Sequence, residues 1–210
     1  MKEQPLVLCL TNAVAANFTA NCLLAVGAKP AMVSESCEAE ELVAAADAVL
    51  VNLGTVTAHQ AEAMRRTVLA AKARDVPWVL DPVGVQLLAF RRELARELIA
   101  LEPSLLRCNQ AEADALGETG CVTLVTGEVD CVGKQEIRGG TPLLQSVTAT
   151  GCAQGGLCAA FLGRGLSPQD AALSASKLMK RAGELAWERA KTPGSFQVAL
   201  VDALWELSHD

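Results

Sequence analysis

Aromatic side chains make up only 3% of this 210-residue chain, and histidine occurs just twice. The interior must therefore be built from alanine, valine and leucine, the palette of tightly packed α/β proteins and not of aromatic-rich recognition modules. Two histidines, no Cys-x-x-Cys pair and no cysteine–histidine cluster at ligand spacing argue against a zinc centre. Basic residues are also short: 18 Lys and Arg stand against 24 Asp and Glu, a formal net charge of −6. That balance argues against nucleic acid or an anionic membrane as partner, and leaves room for a local basic pocket around a phosphate. No apolar run approaches the roughly 20 residues of a membrane span, and the run at 6–10 is too short for a secretion signal. The expected location is the reducing cytoplasm. A GxxxxGK[ST] loop, internal repeats and low-complexity tracts are all missing, which sets aside P-loop kinases and repeat folds.

What the chain does hold is apolar bulk. Hydrophobic residues reach 51%, enough to bury a sizeable core in one domain over residues 1–210. Eight cysteines need not form a disulfide framework in a chain this long. Cys9, Cys22, Cys121 and Cys158 lie in or beside apolar runs, where cysteine acts as a small hydrophobe. Apolar runs at 6–10, 48–51, 78–80, 105–106 and 122–125 read as buried strands. Helical patterns at 17–26, 38–46, 57–74 and 90–101 separate them. Such alternation implies right-handed βαβ units and a mostly parallel sheet covered on both faces, an α/β fold. Residues 129–137 break the pattern, with Gly133-Lys134 as a hairpin turn at an antiparallel edge. The rest reads as helix at 152–162, 168–190 and 196–207.

Polar residues stop the strands: Thr11-Asn12, Asn52, Asp81, Arg107-Cys108-Asn109 and Thr126-Gly127. In a parallel sheet these carboxyl ends share one edge, where α/β proteins bind ligands. Facing that edge, Val147-Thr148-Ala149-Thr150-Gly151-Cys152 leads into a helix whose first N–H groups lack partners and favour an anion. Asp81 and Glu112 suit a hydrated Mg²⁺. Glu112 is equally a first-turn carboxylate interacting with its helix dipole. Arg107 calls for an anion, either a ligand phosphate or a carboxylate of the chain itself. Thr126 is either a nucleotide contact or an ordinary turn residue. Cys152 gains thiolate character at a helix start. His59 and His209 are poorly placed to partner it in covalent chemistry, so a proton acceptor beside an anion hole fits better, as in phosphoryl transfer to an alcohol.

The segments Thr11 to Asn21, Gly27 to Met32, Asn52-Leu53-Gly54-Thr55, Asp81-Pro82-Val83-Gly84, Arg107 to Glu112, Val125 to Asp130, Val147 to Cys152 and Pro193-Gly194-Ser195-Phe196 occur in order along the chain. Together they resemble hydroxyethylthiazole kinase, a ribokinase-like family of thiamine salvage. The resemblance implies a three-layer α/β/α sandwich and ATP-dependent phosphorylation of 4-methyl-5-(2-hydroxyethyl)thiazole. It places Arg107 and Thr126 on ATP; Met32, Ala149 and Asn12 on the thiazole; Thr150 and Gly151 in the anion hole; Asp81 and Glu112 on Mg²⁺ through waters; and Cys152 as the group assisting deprotonation. It also implies a homotrimer with sites near subunit boundaries. Three departures stand out: Ala149 where the family has glycine, Gly140-Thr141 where it has Gly-His, and a connection between Glu112 and Val122 shortened by a helical segment. A thiazole-binding protein with weak catalysis, or a ribokinase-like enzyme for another small molecule, are the alternatives.

Overall fold

Runs of valine, leucine and alanine without alternating polarity become interior parallel strands, because helices cover both of their faces. The computed structural model describes residues 3–209, and its elements follow that rule. In chain order they are β1 (Leu6–Leu10), α1 (Ala13–Ala25), β2 (Lys29–Met32), α2 (Ser36–Val43), β3 (Ala48–Asn52), α3 (Ala58–Lys72), β4 (Trp78–Asp81), α4 (Ala89–Ile99), β5 (Leu105–Asn109), α5 (Gln110–Leu116) and β6 (Thr123–Thr126). Then come β7 (Asp130–Val132), β8 (Gln135–Ile137), a 3-10 turn (Pro142–Gln145), α6 (Thr150–Gly163), α7 (Pro168–Arg189) and α8 (Pro193–His209).

One eight-stranded sheet runs β2-β1-β3-β4-β5-β6-β7-β8. Its first six strands are parallel, and β7 and β8 close it antiparallel around Gly133, whose φ is 57°. Alternate residues of each strand enter two separate cores. Val7, Cys9, Leu50, Val79, Leu105 and Leu124 pack under α1, α6, α7 and α8. Leu8, Leu10, Val49, Val51, Leu80 and Leu106 pack against α2, α3 and α4. The molecule is thus the three-layer α/β/α sandwich of ribokinase-like kinases. Among the described residues, no helix is long and apolar enough to cross a membrane.

Apart from the edge strand β2 and the 3-10 turn, the strand and helix order is as the sequence implies, with differences at the ends. Helix α1 starts at Ala13 and not at 17, because the Asn12 side chain caps it by accepting the Ala15 N–H at 3.0 Å. Strand β5 continues past its apolar pair through Arg107 to Asn109, so that both polar residues are held in the sheet. Strand β2 has no apolar run to announce it: Lys29-Pro30-Ala31-Met32 lies on the sheet's edge and pairs with β1. The third layer thins at β6. Helix α5 is seven residues long, and β7 and β8 add no fully buried hydrophobic residue to the α3–α4 side.

Candidate active site

The same two-residue alternation that fills the cores assembles the site. Asn52, Asp81, Arg107 and Thr126 each stand two residues beyond a core residue facing α6, namely Leu50, Val79, Leu105 and Leu124. Their side chains therefore emerge on the α6 side at the carboxyl edge of the sheet, with Asn52 paired to Asp81 in register. Helix α6 crosses directly above. It can lie this low because Gly155 has no side chain: a Cβ there would come 3.2 Å from Leu50 Cδ1 and 3.5 Å from Asp81 Oδ2.

Asp81 is fully buried. Its Oδ2 accepts a 2.7 Å hydrogen bond from Asn52 Nδ2, and Asn52 Oδ1 in turn accepts from Asn12 Nδ2 at 2.9 Å and from the Gly54 N–H at 3.0 Å. Its Oδ1 has no hydrogen-bond partner, with Arg107 Nη1 at 3.5 Å as an ion-pair contact. Burial pushes the carboxyl up to about 7, against the pull of Arg107, and nearby Glu112 adds to the rise. The sequence marks Asn52 as a strand stop and as part of a motif without assigning it a role in the site; the structure makes it the bridge between Asn12 and Asp81.

Arg107 Nη2 donates to Thr126 Oγ1 at 2.6 Å, and Thr126 donates on to Cys108 O at 3.2 Å. Burial works against the guanidinium charge, but Asp81 and Glu112 more than offset it and hold its pKa above the ordinary value. The guanidinium lies against the first turn of α6, where a Cβ on Gly151 would meet its nitrogens at 2.6 and 2.7 Å. Of the two anions open to Arg107, the chain's own carboxylate is within reach, as the contact with Asp81 shows.

Ala149 precedes α6 in the left-handed region, φ 68° and ψ 3°, a conformation suited to glycine. Ala153 N–H bonds Ala149 O at 2.8 Å, so the amides of Thr150, Gly151 and Cys152 precede the intrahelical ladder. The Thr150 hydroxyl turns back to Leu144 O at 2.7 Å and adds nothing to the anion hole beyond its amide.

Cys152 is corrected by the structure in one respect. Burial, reinforced by Asp81, pushes its thiol up to about 11, outweighing the help of Asn52, Arg107 and Asn12. At neutral pH it is a thiol and not the thiolate expected of a helix start. Its Sγ stands 4.0 Å from Asn12 Nδ2. Glu112 fulfils the structural role open to it: Oε2 accepts the Asn109 N–H and Oε1 the Gly84 N–H, both at 2.9 Å, closing a capping box on α5. No group of three or more His, Cys, Asp or Glu able to hold a metal occurs among the described residues. The orphaned Asp81 Oδ1 and the second lone pairs on Glu112 fit a water-clad Mg²⁺, which needs few protein ligands.

A cavity of about 530 Å³ opens beside this cluster, and Arg107, Thr126, Thr150 and Gly151 line it. Asp81, Glu112, Cys152, Asn12, Met32 and Ala149 are not in its wall. Met32 ends the edge strand β2, and both it and Ala149 are partly buried against the α6-side core. Two wall residues that sequence reasoning missed are Asp130, seen only as part of a motif, and Lys180, which lies on α7 far along the chain. A second cavity of about 590 Å³ adjoins it and shares Gly127, Leu144, Gln145 and Lys180.

The model of the hydroxyethylthiazole kinase family matches residues 1–119 and 114–210. The two matched pieces meet at the short connection between α5 and β6. Curated relatives named hydroxyethylthiazole kinase, from Escherichia coli (strain K12) and Escherichia coli O157:H7, are 40% identical over 240 residues, covering 100% of this chain and 92% of the relative. Against the 210 residues here, about thirty aligned positions of those relatives have no counterpart. A solved hydroxyethylthiazole kinase from Pyrococcus horikoshii OT3 superposes with a TM-score of 0.93 at 36% identity, covering 97% of this chain and 88% of that one. Pyridoxal kinase from Staphylococcus aureus in complex with AMP-PCP has a TM-score of 0.67 at 15% identity over 88% of this chain and 89% of its own, a likeness of fold alone.

Proposed function

Because the chain belongs to the hydroxyethylthiazole kinase family, we propose that it transfers the γ-phosphoryl group of ATP to the primary alcohol of 4-methyl-5-(2-hydroxyethyl)thiazole, a step of thiamine salvage, with residues 1–210 acting as one kinase domain. The observation that carries this reading is the Arg107 guanidinium lying on Gly151 at the start of α6, tied to Thr126 and facing Asp81. A cation and free helix amides meet there at one point of the sheet edge, as stabilising a transferring phosphoryl group requires.

In the proposed reaction Arg107 leaves Asp81 for the incoming phosphate, and Thr126 fixes the guanidinium in the cavity wall. The amides of Thr150, Gly151 and Cys152 meet the charge on the moving group. Mg²⁺ would neutralise the polyphosphate, held through its waters by Asp81 and Glu112. Met32, Ala149 and Asn12 seat the thiazole. Cys152, in its thiolate form, takes the alcohol proton as the new O–P bond forms and the bond to ADP breaks; Asn12 orients the sulfur. Met32 ends an edge strand, and Val14 and Leu24 of adjoining α1 are exposed, which supports a homotrimer with the thiazole pocket at a subunit boundary.

A coupled assay for ADP release with the thiazole alcohol and Mg·ATP tests the reaction, and calorimetry with each ligand separates the alternatives. Turnover and binding of both ligands are expected. Thiazole binding without ATP binding would turn the reading into that of a binding protein. Turnover only with another alcohol would change the substrate. Analytical ultracentrifugation tests the trimer, and a monomer at assay concentration rejects it.

A further inference from the structure

Lys180 is 6% exposed, and its ammonium stands inside a cage of oxygens. Nζ lies 3.0 Å from Glu128 O, 3.3 Å from Gly127 O, 3.3 Å from Gly139 O and 3.3 Å from Asp130 Oδ1. Three of the four are backbone carbonyls, and they come from two loops: the turn after β6 and the stretch after β8. Asp130 is itself fixed, accepting from the Gly127 N–H at 3.0 Å, Ser176 Oγ at 2.8 Å and Gln154 Nε2 at 3.1 Å. The arrangement is that of a monovalent-cation site, in which carbonyl oxygens replace a hydration shell, except that the cation arrives on a side chain. A lysine ammonium suits the task, being a compact point charge with three donors.

The cage also has a place in the cleft. Gly127 is next to Thr126, which holds Arg107, and Lys180 stands in the wall common to the two adjoining cavities. Resting on the kinase reading above for the identity of the ligand, we propose that the Lys180 ammonium is a tethered monovalent cation. It holds the Gly127–Glu128 turn and Gly139 in the wall of the nucleotide cleft, and removing its side chain leaves a site for a free ion of ammonium or potassium size. Lys180 is on this reading a positioning residue: it bridges the loops that the nucleotide meets and touches no reacting atom.

The test compares the parent with Lys180→Ala and Lys180→Met in ammonium, potassium and choline chloride at equal concentration, choline being too large for the cage. The parent should be indifferent to the cation. In choline, Lys180→Ala should raise the KM for Mg·ATP about tenfold, with a smaller change in the KM for the alcohol, because buried carbonyls lose their donor. Ammonium or potassium should recover most of that loss and raise the melting temperature of Lys180→Ala by roughly 2–4 °C or more over choline. Lys180→Met, which fills the space without charge, should not be rescued. An alanine variant that ignores the cation in both KM and melting temperature overturns the proposal, as does a methionine variant with parental KM. If Lys180→Ala folds only in ammonium or potassium, that supports it. If it folds in none of the salts, the neutral pair Asp130→Asn/Lys180→Met decides, a parental KM for ATP overturning the proposal and a raised one supporting it. A chain that phosphorylates no thiazole alcohol, yet whose Lys180→Ala variant melts higher in ammonium than in choline, sinks the kinase reading and keeps this one.

Discussion

At Cys152, burial lifts the thiol up to about 11, so the proton acceptor is present only as a small thiolate fraction at neutral pH. The parent's kcat should therefore climb with pH above 7.5, its logarithm approaching a slope of one per pH unit. Cys152→Asp supplies a group already ionised in that range, and its profile should be flat there; a flat parent profile would remove the cysteine from proton transfer. Asp81 gives the opposite test at lower pH. Its carboxyl, pushed up to about 7, must lose a proton to face a metal's waters. Apparent Mg²⁺ affinity should thus fall as pH drops below about 7, by at most about tenfold per unit, and calorimetry in buffers of different ionisation enthalpy should register the released proton. The sequence showed Asp81 and Cys152 as candidates, since a strand stop and a helix start are local features. It could not show their protonation, which is set by their burial where the first turns of α6 pack on the sheet edge. Asn52 was hidden for a related reason: its partners Asn12 and Asp81 are 40 and 29 residues away.

Helix α6 is where packing and chemistry share the same residues. Gly155 lets it approach β3 and β4, and Gly151 makes room for the Arg107 guanidinium. Gly151→Ala is expected to displace Arg107 and lower kcat/KM about a hundredfold, while changing stability by less than about 1 kcal/mol; paired kinetics and urea unfolding check the split. Ala149 sits just before, held at φ 68°. Ala149→Gly should stabilise the protein by about 0.5–1 kcal/mol, since glycine takes this conformation without a Cβ penalty, and denaturant midpoints would show it. The helix itself was evident from its apolar run, but its true first residue was not. The start is fixed by that left-handed turn, which composition does not announce in an alanine. Strand β2 escaped for the same kind of reason: an edge strand buries little, so Lys29–Met32 lacks the apolar run that marked β1, β3 and β4.

Across the whole molecule, three layers cover β1 to β5, while on the α3–α4 side β6 meets the seven-residue α5, and β7 and β8 add no fully buried hydrophobic residue there. Amides of β6 to β8 should exchange with deuterium faster than those of β1, β3 and β4, and Mg·ATP should slow them; uniform protection across the sheet would refute this. The βα alternation made the layers legible, and the thirteen residues between β5 and β6 marked where one layer ends. The sheet's other rim has a different consequence. Lys29 N–H and Val33 N–H turn inward to Pro5 O and Cys9 O, so the outward-facing positions between them are Met32 and Pro30, the second of which has no hydrogen to give. With a lysine beside it, that border is a poor template for a further strand. Copies of the chain meeting at this rim are thereby steered to gather side by side through their helices and away from knitting one continuous ribbon there.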